Sequence, residues 1–557
     1  MNGVNKVLDL LKKKNVYICG IGGSGMFYLA KFLYLLGWNV SGVDIVENDR
    51  VEELRRLGIK IFIEHNGSNL DDSIELLVYS PAVSEEVPEI VKAKKKSIPV
   101  VPYNLFLDQV FSELKRSLLI DPNIQKALKT SQFNPIYDID FSNVKVIGVT
   151  GTKGKTTTAM MIYHILRESK KNVGVVTTVS AEFCGVSIDT GFHTTTPTAQ
   201  MLASILQKMI NNKVEYIVLE ITSHGLSMHR VEGVPVDIAV YTNITEEHLD
   251  YHKTWEDYAN SKARMIEMMR KGGVVVLNRD DKSFGFLEEK ASKLGVRVVS
   301  YGFRFGTILA TDLFSGEDFI SATIIDRDTN INYPLRIGII GEYNISNALA
   351  AILATKELGI PVADGVYALC SFKGVEGRME VIQKNPFYAI VDFAHTPDSL
   401  EKALIAVKKL VKNKGKIFAI FGCAGLRDPG KRAKMGKIAY KLADVIVVTA
   451  EDPRTEKLRD INDQIIEGMG KKIVVYKDVK PTKEILNKEL VKGVKVVVRF
   501  DKDDISSRRA AINWAIKSAK AGDVVIAFGK GHEKSLCFGT TEYPWSDIEE
   551  MKKALVR

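Results

Sequence analysis

Gly148-Val-Thr-Gly151-Thr-Lys153-Gly154-Lys155-Thr156-Thr157-Thr158 is the stretch that decides the fold. It follows an apolar run, Val144 to Val149, and opens a helical stretch at Lys155, so it reads as strand, glycine-rich turn, helix. Glycines let backbone amides turn inward onto phosphate oxygens, and the helix N-terminus adds a positive dipole. In that arrangement Lys155 reaches the β- and γ-phosphates of a nucleotide and the Thr156 hydroxyl holds Mg²⁺. The general phosphate-loop pattern would put a glycine where Val149 stands; here the glycines fall at 148, 151 and 154. The competing reading is an ordinary strand-to-helix turn, against which Gly-Lys-Thr at the helix start weighs.

The same alternation of strand and helix runs in both directions. Toward the N-terminus, Val16 to Cys19, a glycine turn, an amphipathic stretch Met26 to Leu36 and a run Val40 to Val43 make the start of a parallel α/β unit. Leu76–Tyr79 and Pro99–Val101 read as further strands. After the phosphate turn come Val173–Thr177, Tyr216–Glu220 and Ile238–Thr242, then Tyr388–Asp392, Ile417–Phe421, Val445–Thr449 and Val524–Phe528. The expected fold is α/β in three domains: N-terminal Rossmann-like (1–111), central P-loop ATPase-like (144–372) and C-terminal Rossmann-like (373–557). Residues 112–143 lack periodicity and contain Asp121-Pro122 and Asn134-Pro135, so they are expected to be a linker holding at most a short helix.

The bulk numbers fit a chain of that kind. At 557 residues it is too long for one core and suggests roughly three or four domains. The net charge of +9 is a diffuse lysine excess with no compact basic block, which argues against nucleic acid and allows anionic ligands. Cys19, Cys184, Cys370, Cys423 and Cys537 are scattered and unpaired in sequence, as suits a reducing cytosol. The N-terminus has no signal-peptide pattern and no apolar run is long enough for a membrane span, so a cytoplasmic location is expected, as a monomer and with no membrane partner.

Three further stretches carry chemistry: His193-Thr194-Thr195-Thr196-Pro197; Leu219-Glu220-Ile221-Thr222-Ser223-His224-Gly225-Leu226, ending at Arg230; and Thr242-Asn243-Ile244-Thr245-Glu246-Glu247-His248-Leu249-Asp250, followed by His252 and Lys262. Glu220 ends an apolar strand, and that edge of an open α/β sheet faces the ligand crevice. A carboxylate there suits a Mg²⁺ that bridges phosphates. Taken singly, Glu220 would be a solvated loop acid, His224 and His248 satisfied structural histidines, and Lys262 a solvated helical lysine.

With the phosphate turn these stretches resemble the Mur ligase family, whose loop has the glycine spacing of GTKGKTTT. The resemblance implies an ATP-dependent amide ligase. A carboxylate attacks the γ-phosphate, and an amine displaces phosphate from the acyl phosphate. Gly151, Thr152, Lys153, Gly154, Lys155, Thr156 and Thr157 would hold ATP, with Lys153 where Asn or His is more usual. Thr156, Glu220, His248 and Lys262 would serve Mg²⁺, two ions being implied, with Lys262 carbamylated. Lys155, Glu220, His248 and Lys262 would be the catalytic set. Thr195, Thr196, Ser223, His224 and Arg230 would place the acceptor.

Gly341-Glu-Tyr-Asn344-Ile-Ser-Asn347 resembles the family's adenine-facing segment, with Asn344 and Asn347 on the base. Gly374-Val-Glu-Gly377-Arg378-Met379-Glu380 resembles the hinge into the last domain, with Arg378 reaching ATP. Val391-Asp392-Phe393-Ala394-His395-Thr396-Pro397-Asp398 resembles a nucleotide-contacting strand end, with Asp392 on the ribose and His395 toward substrate. The last domain is similar to the MurE-type subgroup at Gly422–Arg432, Glu451-Asp452-Pro453-Arg454 and Gly529-Lys530-Gly531-His532-Glu533. A planar guanidinium can grip an amino acid's carboxylate in a fork, which makes Arg427 and Arg454 candidates, with Glu533 for a second ammonium. Gly529 would form a wall. Asp-Pro-Arg replaces the Asn-Pro-Arg common with meso-diaminopimelate; Arg454 favours a substrate with a distal carboxylate, Asp452 adds negative charge that could favour L-lysine, and the balance leans to meso-diaminopimelate.

The first domain points elsewhere within the family. Gly20-Ile-Gly22-Gly23-Ser24-Gly25-Met26 with Asp44 alone would suggest NAD. Together with Tyr79-Ser80-Pro81-Ala82-Val83, it resembles the UDP-binding domain of MurC-type and Mpl-type ligases. Gly22, Gly23, Ser24, Gly25 and Asp44 would then bind the UDP-linked substrate. Met228 stands where MurE-type enzymes often have glutamine. The expected function is addition of a diamino acid, meso-diaminopimelate or L-lysine, to UDP-MurNAc-L-Ala-D-Glu in peptidoglycan synthesis, on which cell shape and division depend. The alternatives are a MurC-like, Mpl-like or archaeal pseudomurein ligase, and a catalytically silent nucleotide-binding scaffold.

Overall fold

Strands whose residues are buried on both faces set the architecture, because a parallel sheet covered by helices on each side reads as continuous apolar runs. The computed structural model describes residues 13–117, 121–188, 196–245, 254–411, 415–477 and 480–556. The first sheet is wholly parallel: β1 (Asn15–Cys19), β2 (Asn39–Val43), β3 (Lys60–Phe62), β4 (Leu76–Tyr79) and β5 (Val100–Pro102), in the order β3-β2-β1-β4-β5. The strand order reverses at β1, so the glycine turn after Cys19 opens at the crevice where such sheets bind ligands.

The second sheet has eleven strands: β6 (Lys145–Thr150), β7 (Val173–Val176), β8 (Ala181–Phe183), β9 (Val186–Ile188), β10 (Tyr216–Glu220), β11 (Val236–Tyr241), β12 (Met269–Asn278), β13 (Arg297–Gly302), β14 (Ile308–Ser315), β15 (Ile320–Asp326) and β16 (Ile331–Ile337). Their order is β16-β15-β14-β13-β12-β11-β6-β10-β7-β8-β9. β6 lies in the parallel middle between β10 and β11. Its loop therefore faces the strand ends that carry Glu220 and Thr242. The margins are antiparallel. In β15 the buried Ile320, Ala322 and Ile324 alternate with half-exposed residues, the period of a sheet covered on one face.

The third sheet comprises β17 (Glu380–Gln383), β18 (Tyr388–Asp392), β19 (Ile417–Phe421), β20 (Val445–Val448), β21 (Ile473–Tyr476), β22 (Lys495–Arg499) and β23 (Val524–Phe528), ordered β17-β18-β23-β19-β20-β22-β21. Only β17 is antiparallel. A hairpin of β24 (Ser535–Phe538) and β25 (Thr541–Pro544) follows. After β18, Thr396 caps the helix Pro397–Lys408 in a reciprocal box with Ser399, and Pro397 sits in the first turn, where its missing N–H costs nothing.

Residues 112–143, expected as a linker, are largely folded where described. The helix Tyr103–Ser117 runs through the expected boundary, and a second helix spans Pro122–Ser131. Leu114, Ala127, Leu128 and Phe133 join the first domain's core, while Ile136 and Phe141 join the second's. Phe133 stacks between Phe32 and Phe111. Asp121-Pro122, read as a helix breaker, is a helix start: the Asp121 carboxylate accepts the Asn123 N–H at 2.8 Å and Pro122 fills the first turn. Among the described residues no helix is long and apolar enough to cross a membrane.

Candidate functional site

The phosphate loop is braced by the end of β11. Thr152 N–H donates to the Asn243 carbonyl at 2.7 Å, Lys153 N–H to Asn243 Oδ1 at 3.0 Å, and Thr242 Oγ1 to the Lys153 carbonyl at 2.6 Å. Gly154, at φ +82°, caps the helix Lys155–Glu168; a side chain there would also meet Asn347 Oδ1 at 2.3 Å. Lys155 Nζ lies 2.9 Å from the Thr152 carbonyl, over the loop rather than out in solvent. Thr242 and Asn243 thus shape the loop; they stand in the 242–250 stretch noted in the sequence, without that role assigned.

Beside the loop, Thr156 Oγ1 donates to Glu220 Oε1 at 3.1 Å. Glu220 Oε2 accepts the N–H and the hydroxyl of Thr178, both at 3.0 Å. Glu220 is 4% exposed, so it is no solvated loop acid. Thr178 was not singled out in the sequence; its position just past β7 was the only signal. A buried hydroxyl and carboxylate within one hydrogen bond, at a phosphate loop, are the hard-oxygen set that Mg²⁺ takes when phosphates and water complete its shell. Among the described residues no group of three His, Cys, Asp or Glu gathers as an all-protein metal cage.

Lys262, on the helix Trp255–Glu267, is 1% exposed and lies beneath the loop. Its Nζ donates to the Gly151 carbonyl at 2.7 Å and lies 4.6 Å from the Tyr258 ring centre. Thr195 and His248 lie outside the described residues, as do His193, Thr194, Glu246, Glu247, Leu249, Asp250 and His252. Thr157 follows Thr156 in the helix's first turn.

The hinge reaches this corner from the other side. Arg378 Nη2 lies 3.4 Å from Thr156 Oγ1, its guanidinium 4.4 Å from the Phe393 ring centre, and its buried Nε has no hydrogen-bond partner. Burial pulls the Arg378 pKa down, against the opposing pull of Glu220, Asp392 and Glu533. Lys153 Nζ meets Thr396 Oγ1 at 3.0 Å, a second contact between loop and last domain.

Three residues expected at the nucleotide are also bonded within the protein. Asp392 accepts the N–H of Met379 at 2.8 Å and of Ala394 at 2.9 Å, and burial raises its pKa. It staples the hinge to β18. Asn344 and Asn347 are each 6% exposed and bond one another at 2.9 Å, while Asn344 Nδ2 holds the Ile340 carbonyl. They back the phosphate loop.

In the last domain the loops after β19, β20 and β23 meet. Gly425 N–H donates to the Asp452 carbonyl at 2.9 Å and Arg454 Nη1 to the Gly425 carbonyl at 2.7 Å. Arg427 is exposed. Asp452 is not a free negative charge: Lys530 Nζ lies 2.9 Å from both its oxygens, and Cys537 N–H donates to it at 2.9 Å. Lys530 also pairs with Glu533. The acid with an unmet oxygen is Glu451, whose buried Oε2 has no hydrogen-bond partner, beside Gly529. Burial pushes its pKa up to about 7, with Lys431 and Arg508 opposing. Sequence reasoning gave Glu451 no role, because charge alone did not distinguish it from Asp452. His395 Nδ1 is tied to the Phe393 carbonyl at 2.9 Å, and Lys431 Nζ to the His395 carbonyl at 2.9 Å.

At the first glycine turn, Gly22 N–H donates to Asp44 Oδ2 at 2.8 Å, and Ile45 and Val46 N–H donate to Oδ1. Asp44 thus holds its own loop and the turn together. The helix Ser24–Leu35 starts at Gly23 with no side-chain cap, leaving its first amides free of one, with Ser24 exposed. Gly25 packs on Tyr103, whose electrostatic neighbour is Arg230 of the central domain. Arg230 Nη1 donates to the Thr196 carbonyl at 2.8 Å, and Thr196 Oγ1 bonds Thr222 Oγ1. Ser223 opens the short helix Ser223–Ser227 with its carbonyl held by Ser261, and His224 is exposed there.

Three family patterns match the chain: "Mur ligase family, catalytic domain" at residues 15–114, "Mur ligase middle domain" at 149–355 and "Mur ligase, glutamate ligase domain" at 377–531. A UDP-N-acetylmuramoyl-L-alanyl-D-glutamate--2,6-diaminopimelate ligase of Caldanaerobacter subterraneus subsp. tengcongensis is 33% identical over 75% of this chain and 80% of its own length. One of Nostoc sp. bearing the same name is 35% identical over 75% of this chain and 78% of its own. Among solved structures, another ligase of that name superposes with a TM-score of 0.52 at 23% identity, covering 88% of this chain and 94% of its own. MurF ligase from Thermotoga maritima in complex with ADP gives 0.54 at 18% identity, covering 88% and 96%. The two structures share the fold.

Proposed function

Because the chain belongs to the Mur ligase family, and is therefore an ATP-dependent ligase, we propose that it joins a diamino acid to the free carboxylate of UDP-MurNAc-L-Ala-D-Glu in the cytoplasm. The observation that carries this is the Thr156 hydroxyl held on the buried Glu220 carboxylate beside Lys155. Two anions, a carboxylate and a triphosphate, must approach each other, and this corner supplies the countercharge.

Lys155 and the loop amides hold the β- and γ-phosphates in line with the attacking carboxylate oxygen. That oxygen bonds to the γ-phosphorus, and ADP leaves. Arg378, with a donor to spare, stands over the acyl phosphate. The amine then attacks the carbonyl carbon, phosphate departs with the bond electrons, and the amine's proton passes to solvent or phosphate. Thr156 and Glu220 would hold one Mg²⁺, which supplies charge neutralisation on the phosphates. A carbamylated Lys262, together with His248, would hold a second. Arg454 and Arg427 grip the amino acid's distal carboxylate. Lys530 is shared between Asp452 and Glu533, which reduces the pull of Asp452 on a lysine ammonium, and the two arginines favour meso-diaminopimelate.

The test is phosphate release with ATP and UDP-MurNAc-L-Ala-D-Glu labelled with ¹⁸O in the glutamate side-chain carboxylate. Release should require meso-diaminopimelate and carry one ¹⁸O into the phosphate. Release that responds instead to UDP-MurNAc plus L-alanine would hand the case to a MurC-like acceptor, which the first domain's glycine turn favours. Unlabelled phosphate would rule out the acyl phosphate.

A further inference from the structure

Resting on the reading of the last domain as the amino-acid site, we infer that Arg508 is a positioning residue that sets the amino-acid pocket by tying two of its walls to each other from behind. Arg508 lies on the helix Ser506–Ser518 and is 0% exposed. Its Nε and Nη2 fork onto both oxygens of Asp547. Trp545 Nε1 holds the same carboxylate at 2.9 Å. Two further N–H donors go to main chain. Nη1 donates to the Ala450 carbonyl at 2.7 Å and Nη2 to the Phe528 carbonyl at 2.7 Å.

Those two carbonyls stand immediately before the two pocket loops. Ala450 precedes Glu451-Asp452-Pro453-Arg454, and Phe528 precedes Gly529-Lys530-Gly531-His532-Glu533. β20 and β23 are not neighbours; β19 lies between them. No sheet hydrogen bond can therefore fix one loop against the other, and the planar guanidinium spans the gap. The loops then meet in front through Asp452 and Lys530. A fork of fixed geometry transmits distance and angle together, which a lysine ammonium cannot. The Asp547 carboxylate pairs the buried guanidinium from one side while the two carbonyls meet it from the other.

The experiment is steady-state kinetics of the full chain with ATP, UDP-MurNAc-L-Ala-D-Glu and meso-diaminopimelate. Arg508→Lys keeps the charge and loses the fork. The paired variant Arg508→Met with Asp547→Asn removes the charges together, leaving no ion unpaired, and keeps an acceptor for Trp545. In both, the KM for meso-diaminopimelate should rise about tenfold or more, as small misplacements of binding groups do. The KM values for ATP and the UDP-linked acceptor should stay within about twofold. An unchanged amino-acid KM in a folded variant overturns the inference. So does a parallel rise of all three KM values with a lowered melting temperature, which marks a purely structural residue. Arg454→Ala run alongside separates the two readings. If it leaves the amino-acid KM unmoved, the pocket assignment has failed and the positioning role falls with it; if it raises that KM while the Arg508 variants do not, only the positioning role has failed.

Discussion

The molecule contains two glycine turns built on the same plan, and they differ in what stands beside them. Each follows a buried parallel strand, Asn15–Cys19 or Lys145–Thr150, and each opens a helix. At the first turn the nearby acid, Asp44, is consumed by the amides of the loop, and no lysine follows the glycines. At the second, Lys155 and Thr156 begin the helix and Glu220 waits across from them. A helix N-terminus and inward amides suffice to hold a diphosphate. Moving a phosphoryl group needs added cations and a metal corner. The fold supplies the grip; a handful of side chains decides whether chemistry follows.

The contrast breaks most sharply at Lys155. Lys155→Ala should lower kcat/KM by about 10³-fold or more, read in the phosphate-release assay, because a charge aimed at the transferring phosphate is lost. If activity survives, the second turn is only a binding turn like the first. A substitution at the first turn should act on binding alone. A Cβ at Gly25 would come 2.6 Å from Tyr103 Oη, so Gly25→Ala should raise the KM for the UDP-linked acceptor about tenfold with kcat nearly unchanged, since it removes uniform binding. A fall in kcat with constant KM would put the first turn in the chemistry. The smallest effect belongs to Asp44→Asn, which keeps an acceptor for Gly22 N–H and loses its charge. It should cost about 1 kcal/mol in urea unfolding, and a loss several-fold larger would make Asp44 a major support of the first domain.

The legible parts of this chain were those where one physical requirement dominates. Strands such as Tyr216–Glu220 and Ile417–Phe421 are buried on both faces, so their ends stood out as apolar runs. The antiparallel margin Ile308–Ile337 did not, because Ile320 to Asp326 alternates and half of its residues look like surface. Lys155, Thr156 and Glu220 were readable because motif and strand end coincide. The pairing of Asp452 was not readable because its partner, Lys530, lies far along the chain, and a carboxylate's charge says nothing of which cation it meets. Thr178 carries no charge and acts through two hydrogen bonds to Glu220, which no spacing announces, and Asn243, though inside the 242–250 stretch, had no role of its own assigned. Asp121-Pro122 misled because the same dipeptide that stops one helix starts another.

The junction between the first and central domains carries its own consequence. His229, 2% exposed at its side chain, bonds Asp108 at 2.8 Å and Glu232 at 2.9 Å and stacks on Phe111 at 4.5 Å, while Arg264 reaches Asp108 as well. Rotating one domain on the other would strip that ring from its aromatic neighbour and break the Asp108 bonds to His229 and Arg264. The last domain meets the phosphate loop through isolated contacts, Lys153 to Thr396 and Arg378 to Thr156. A rotation about Gly374–Met379 would break those two contacts at the loop itself.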